Sequence, residues 1–112
     1  MTEDPTQINR ILPGEDDSED MDRLMLNTGE GKLAVTGFLT IGRDEKNHVT
    51  IDEAVVSRRH AIIERVGRKF FIRDLHSTNK TFVNGSILTR GEQRELHAGD
   101  EIKIGSVKLE VT

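Results

Sequence analysis

The sequence contains no cysteine, no tryptophan and no tyrosine, and four phenylalanines are its only aromatic residues. Without cysteine, the chain cannot build a disulfide scaffold, a cysteine-ligated zinc site, an iron–sulfur cluster or a thiol nucleophile. So few aromatic side chains argue against a stacking platform for nucleic-acid bases. The apolar runs are also short, far below the roughly 20 residues that a membrane-spanning helix needs.

The amino terminus lacks the basic and apolar segments of a secretory signal peptide. We therefore expect a cytoplasmic protein, and the start at Met1 favours a free-standing chain. Its 112 residues have room for one domain with one core. With 34% hydrophobic and 32% charged residues, the chain is polar but not so polar that all of it must be disordered.

Charge is distributed unevenly along the chain. Residues 1–31 hold nine acids and two bases, a net charge of −7, whereas residues 32–112 have a net charge of +3. Like-charge repulsion keeps the acidic run at 14–20 extended, since it has no apolar anchor. We predict a disordered acidic tail over 1–21 and a folded domain over 22–112. The tail is either a solvating leader or a segment that folds back on the mildly basic domain.

From Arg23 onward, hydrophobic residues recur with the period of two that is typical of β-strands. The predicted strands are 24–26, 33–35, 38–41, 48–51, 60–66, 69–75, 81–83, 86–88, 101–104 and 107–111. Turn signals separate them, among them Asn84-Gly85, a pair that favours a two-residue hairpin. No stretch shows three helical turns of apolar periodicity. The pattern predicts an all-β antiparallel sandwich or barrel.

Three predicted loops carry polar side chains suited to an anion. Arg43 follows a strand and Gly42, the segment 57–60 (SRRH) precedes a strand, and the segment 77–80 (STNK) lies between two strands. Arginine presents a planar fork that matches phosphate oxygens, and hydroxyl groups and loop amides add further hydrogen bonds. An asparagine amide both donates and accepts, as binding of a peptide main chain requires. These segments indicate an anion site.

The sequence resembles the forkhead-associated (FHA) domain, a phosphothreonine-peptide binding module, over about residues 22–112. The matching segments are Gly42-Arg43, Ser57-x-x-His60, Asp74-Leu75, Ser77-Thr78-Asn79 with Thr81, Val83-Asn84-Gly85 and the closing AGDEIKIG at 98–105. A single one of these motifs carries little information, but their common order and spacing are specific. The resemblance implies an eleven-stranded antiparallel β-sandwich of two sheets that binds its ligand on loops at one end.

The resemblance also implies a set of phosphopeptide-binding residues. These are Arg43, Ser57, Arg58, Thr78, Asn79 and Lys80. Within the set, Arg43 and Ser57 bind the phosphate, Thr78 supports the phosphate or nearby backbone, and Asn79 binds the peptide main chain. Arg58 is a second phosphate contact.

Four further residues match the motif in structural roles. Gly42 permits a tight backbone, His60 braces the loop that carries Ser57, and Asn84 and Gly85 form a hairpin turn. Proteins with phosphothreonine are the implied partners, together with the serine/threonine kinase that modifies them.

Lys80 departs from the family pattern, which usually has glycine at this position. A glycine there often serves a turn with positive φ. A lysine in the same conformation would cost about 1 kcal/mol of strain, or it would add a cation near the ligand. Neither outcome removes a phosphate contact, so we expect binding to be retained.

The tail contains two threonines, Thr2 and Thr6. It resembles small bacterial FHA regulators whose phosphorylated N-terminal threonine occupies their own FHA domain. We favour Thr6, because Thr2 is too close to the terminus to provide an N-terminal flank. About 16 residues separate Thr6 from the first strand, enough to span roughly 50 Å when extended. Tethering of this kind gives an effective concentration of around a millimolar.

Other function classes fit the sequence less well. Ser57, His60 and Asp74 invite a hydrolase interpretation, but the chain has no nucleophile elbow, P-loop or dinucleotide fingerprint. The four histidines lack metal-ligand spacing, so we expect no metal and no cofactor. The domain lacks the aromatic interleaving of a nucleic-acid binder, and we expect neither a nucleic-acid nor a membrane partner. The prediction is a non-catalytic phosphothreonine reader; the alternative is a phospho-independent structural or assembly module.

Overall fold

The computed structural model describes residues 23–112, which form two β-sheets. The strands are β1 (Leu24–Asn27), β2 (Lys32–Val35), β3 (Phe38–Gly42), β4 (Val49–Thr50), β5 (Ala61–Val66), β6 (Lys69–Asp74), β7 (Phe82–Val83), β8 (Ser86–Ile87), β9 (Arg94–Glu95), β10 (Glu101–Ile104) and β11 (Val107–Val111). One sheet has the order β9-β6-β5-β3-β4 and the other β2-β1-β11-β10-β7-β8. The all-β, eleven-stranded sandwich is therefore confirmed.

The predicted acidic tail, with Thr2 and Thr6, lies outside the described residues. Within residues 23–112, the chain contains no helix that is long and apolar enough to cross a membrane.

The core forms from alternating side chains on the facing surfaces of the two sheets. In β11, Leu109 and Val111 are buried, while Lys108 and Glu110 point to solvent. Ile102 in the neighbouring strand β10 is buried in the same way. Each fully buried aliphatic side chain of this size contributes about 1.5–3 kcal/mol. The hydrophobic effect therefore fixes which face of each strand points inward.

Two features of the sheets differ from the sequence prediction. Strand β9 consists of Arg94 and Glu95, whose charged side chains gave no alternation to detect; it pairs with β6 at a sheet edge. Strands β3 and β4 pair in parallel, with Ile41 opposite Val49, although antiparallel pairing was predicted throughout. Alternating burial is the same in parallel and antiparallel ladders, so the sequence pattern does not encode strand direction.

The polar loops gather at one end of the sandwich. The loop between β4 and β5 reaches the β10–β11 turn, because Glu53 accepts hydrogen bonds from the backbone N–H and the hydroxyl group of Ser106. Strand β11 runs away from this turn and pairs antiparallel with β1, with Val111 opposite Leu26. The start of β1 at Leu24 therefore lies at the opposite end from the loops.

Candidate functional site

Arg43 is held beside the β4–β5 loop by its backbone and by one edge of its side chain. Its backbone N–H donates to the Ser57 carbonyl at 3.0 Å, and its Nε donates to the Val56 carbonyl at 2.9 Å. No carboxylate within residues 23–112 forms an ion pair with Arg43. The guanidinium is thus anchored and exposed, with its terminal N–H groups available to an anionic ligand.

Ser57 and Thr78 bring two of the loops together. The backbone N–H of Thr78 donates to Ser57 Oγ at 3.1 Å. Since this contact uses an oxygen lone pair, the hydroxyl proton of Ser57 remains able to donate to a ligand oxygen. The pair places a hydroxyl donor and a second loop next to the segment that holds Arg43.

His60 is fully buried beneath the surface of the site and connects the same two loops. The backbone N–H of Ser57 donates to its Nδ1 at 3.1 Å, so Nδ1 is the acceptor nitrogen. Its Nε2 therefore carries the proton and donates to the Lys80 carbonyl at 2.9 Å. With both nitrogens occupied by backbone groups, the imidazole cannot act as a base toward the Ser57 hydroxyl, as the hydrolase interpretation would need.

Asp74 organises the turn formed by residues 77–80. Its Oδ1 accepts from Ser77 Oγ at 2.5 Å and from Thr81 Oγ1 at 2.7 Å, and its Oδ2 accepts from the Ser77 N–H at 2.9 Å. Burial would raise the pKa of Asp74, but the hydrogen bonds from Ser77 and Thr81 outweigh it and hold the pKa below its usual value. The ionised carboxylate therefore fixes the backbone of the turn.

Asn79 lies exposed on that turn, facing the β4–β5 loop. Its Nδ2 donates to the Val55 carbonyl at 2.8 Å. Its Oδ1 has no hydrogen-bond partner within residues 23–112, and the second Nδ2 proton is also free there. The amide can therefore accept from and donate to the main chain of a bound peptide.

Gly42 is required by a close backbone approach. A Cβ atom at this position would lie 2.1 Å from the Arg58 carbonyl oxygen. Asn47 reinforces this contact, because its Nδ2 donates to the Arg58 carbonyl at 2.7 Å and to the Asp44 carbonyl at 2.8 Å. The role of Asn47 was not predicted from the sequence, where its place in a turn is its only signal.

Of the other predicted site residues, some lie on the polar loops and some lie away from them. The Arg58 side chain is exposed on the β4–β5 loop. The Lys80 ammonium group folds back on its own turn and donates to the Ser77 carbonyl at 3.2 Å. Asn84 and Gly85 form the β7–β8 hairpin turn, and Asn84 Nδ2 contacts Asp100 at 2.9 Å instead of the polar loops.

Within residues 23–112, no group of three His, Asp or Glu side chains could hold a metal ion. What the loops offer is an arginine fork, a serine hydroxyl and an asparagine amide on a rigid support.

Comparisons with known proteins connect this arrangement to a family. The family model of the FHA domain matches residues 39–105. The chain is 36% identical over 83 residues to the oxoglutarate dehydrogenase inhibitor of Corynebacterium diphtheriae, which is 74% of this chain and 56% of that protein. It is 32% identical over 89 residues to the probable serine/threonine-protein kinase fhkA of Dictyostelium discoideum, 71% of this chain and 15% of the kinase.

A solved structure gives the same result for the fold. An FHA domain analysed for phosphothreonine-dependent interactions superposes with a TM-score of 0.70 at 30% sequence identity, covering 80% of this chain and 94% of that one. The chain thus matches almost all of an isolated FHA domain. It spans little more than half of the inhibitor and a much smaller part of the kinase.

Proposed function

The chain belongs to the FHA domain family, and on that premise we propose that it binds phosphothreonine segments of partner proteins without altering them chemically. FHA domains bind phosphothreonine peptides. The observation that carries the proposal for this chain is the convergence of Arg43, Ser57 and Asn79 on adjoining loops. Together they provide donors for a phosphate group and a donor–acceptor pair for the neighbouring main chain.

The phosphate is the group that Arg43 and Ser57 would hold. Hydrogen bonds to a charged group are worth about 1.5–3 kcal/mol each, and the guanidinium can form two in parallel. Since backbone contacts already fix both residues, little side-chain freedom is lost on binding. Arg58 adds a second cation, which strengthens attraction to the dianionic phosphate.

The peptide main chain is the group that Asn79 would hold. Its bond to the Val55 carbonyl fixes the amide plane, which aligns Oδ1 and the remaining Nδ2 proton for a peptide backbone. Thr78 adds a hydroxyl group next to it. In this arrangement, Arg43 and Ser57 make binding depend on the phosphate group, and Asn79 orients the bound peptide.

Such a protein acts downstream of a serine/threonine kinase, and Thr6 is a candidate ligand within the same chain. A segment from Thr6 to Leu24 extends over at most about 60 Å. Strand β1 starts at the end opposite the loops, so the segment has to pass along the sandwich, whose six-residue strands span about 20 Å. The reach is therefore sufficient, and occupation by phosphorylated Thr6 would exclude other partners.

The experiment compares a phosphothreonine peptide library, unphosphorylated and phosphoserine counterparts, and two variants. Arg43→Ala should weaken phosphothreonine binding about 30- to 150-fold, from the loss of about 2–3 kcal/mol. Lys103→Ala removes an exposed charge from the outer face of β10 and should leave affinity unchanged. Binding that is indifferent to phosphate and to Arg43 would instead support a phospho-independent assembly module.

The role of the tail is tested by two further titrations. One uses a chain that starts at Asp22, and the other uses the full chain after phosphorylation of Thr6 by a kinase.

A further inference from the structure

A cleft of about 460 Å³ lies on the far side of the turn formed by residues 77–80. One wall consists of Asp74, His76 and Lys80, and the other is the segment 87–91. Thr78 and Asn79 contact the β4–β5 loop, whereas His76 and Lys80 line this cleft. The same short turn therefore borders both the phosphate-binding loops and a second concave surface.

The cleft has an excess of basic side chains. His76, Lys80 and Arg90 line it, and none of them forms an ion pair with a carboxylate of residues 23–112. Asp74 is the one acid in the lining, and both of its oxygens already accept hydrogen bonds from Ser77 and Thr81. These hydrogen bonds leave the negative charge of Asp74 in place, but the lining has two permanent cations, Lys80 and Arg90, so its net charge is positive.

Two of the residues that line the cleft, His76 and Lys80, have a strained backbone, and the Lys80 ammonium group donates to the Ser77 carbonyl at the edge of the cleft. His76 has φ 58° and Lys80 has φ 71°, both in the left-handed region that disfavours residues with a Cβ atom. Such a conformation costs roughly 1 kcal/mol or more per residue and tends to occur at functional sites. Hydrogen bonds from the Lys80 N–H to Ser77 Oγ and from His60 to the Lys80 carbonyl maintain it.

The wall formed by segment 87–91 is partly apolar. Leu88 is buried, whereas Ile87 is 44% exposed. A charge pair beside an apolar wall is less screened than one on an open surface. An acidic group of a ligand would therefore meet Lys80 and Arg90 in surroundings that favour the contact.

We propose that this cleft binds a second acidic group of the phosphothreonine ligand, either a carboxylate side chain or a further phosphate. This inference rests on the proposed function, because Asn79, next to Lys80 in the chain, is the residue that would hold the ligand main chain. An extended peptide advances about 3.3–3.6 Å per residue. Because Asn79 and Lys80 are adjacent in the chain, we expect an acidic group a few residues from the phosphothreonine to reach the cleft.

The test uses peptides with one phosphothreonine in a neutral sequence. A single Glu is moved through four positions on each side, and a second series carries phosphoserine at the same positions. We expect one position at which Glu raises affinity about two- to fivefold, the range of a single partly exposed charge pair. The gain should disappear in Arg90→Ala, persist in Lys103→Ala, and shrink as salt is raised. A larger gain with phosphoserine identifies phosphate as the better ligand, and an equal gain identifies carboxylate; both support the cleft.

A second variant separates binding from folding. His76→Gly removes the imidazole and relieves the positive φ, so it should raise the melting temperature while lowering the preference for the acidic peptide. Equal affinity for all Glu positions, with phosphothreonine dependence intact, would overturn this proposal alone. Failure of every phosphothreonine peptide to bind would overturn the proposed function itself.

Discussion

The interior of the sandwich and the end that carries the loops are both tightly ordered, but by different interactions. Nineteen buried hydrophobic residues hold the sheets together. The buried polar residues among those described are His60, Ser77 and Thr81, and all three lie beneath the polar loops. Apolar burial is non-directional, whereas each buried hydrogen bond fixes particular atoms. The core therefore provides stability, and the buried polar cluster provides the geometry of the site.

His60→Ala should produce the largest effect and affect both regions. It leaves the Ser57 N–H and the Lys80 carbonyl without partners and opens a cavity, which together should lower the free energy of unfolding by about 3–5 kcal/mol. Denaturant unfolding measures this loss, and peptide titration under native conditions should show weakened binding as well.

Leu109→Ala is the matched core variant. It should lower the free energy of unfolding by about 2–5 kcal/mol, while the folded fraction binds phosphopeptide with unchanged affinity. If His60→Ala lost only stability, as Leu109→Ala should, the buried histidine would have no role in positioning the loops.

Ser57→Ala should affect the site more than the fold. Removal of one hydroxyl donor to a charged group should weaken phosphopeptide binding about 10- to 100-fold. The free energy of unfolding should fall by no more than about 1.5 kcal/mol, since the Thr78 N–H loses one partly accessible partner. Calorimetric titration and denaturant unfolding provide the two numbers, and an affinity equal to wild type would remove Ser57 from the proposed site.

The lowered pKa of Asp74 leads us to expect that the stability of the protein depends on pH. Its pKa is lower in the folded chain than its usual value of 3.8, so the folded protein binds fewer protons at this group than the unfolded chain does. The stabilisation is therefore present above pH 3.8 and declines as the pH falls through the lower, folded-state pKa. Unfolding midpoints measured from pH 7 to pH 2 should show this decline in the wild type and a smaller one in Asp74→Asn.

Lys80→Gly should give the smallest effect, and it has the opposite sign. Relief of φ 71° should raise the free energy of unfolding by about 0.5–1 kcal/mol. Lys103→Gly, in strand β10, should instead lower it by about 0.5–1 kcal/mol. A loss of stability in Lys80→Gly would mean that the ammonium contact with the Ser77 carbonyl outweighs the backbone strain.

Much of the fold could be predicted from local patterns. Strands β10 and β11 match their predicted bounds, because Ile102, Ile104, Leu109 and Val111 alternate with charged residues. The Asn84-Gly85 hairpin was also predictable, since both residues take the positive φ that this turn requires. Of the two outcomes that the sequence left open at Lys80, the strained backbone is present, since this residue keeps a positive φ of 71°.

Contacts between distant segments could not be predicted from the sequence. Asn47 reaches Arg58 across eleven positions, and Glu53 reaches Ser106 across 53. The residues next to the donor or the acceptor in the sequence give no sign that the two will form a hydrogen bond. The parallel pairing of β3 with β4 belongs to the same class, since it depends on the path of a loop.

The period of the strands, the turns and the set of polar residues from which a phosphate site could be built follow from the amino-acid sequence alone. These features depend on neighbours along the chain, whose spacing the backbone imposes. Tertiary packing fixes which nitrogen of His60 faces each loop, how Asp74 holds the turn, and that His76 and Lys80 line a second cleft. Those outcomes depend on the approach of segments far apart in sequence, and hydrogen-bond distance and direction fix them only once the two sheets have packed.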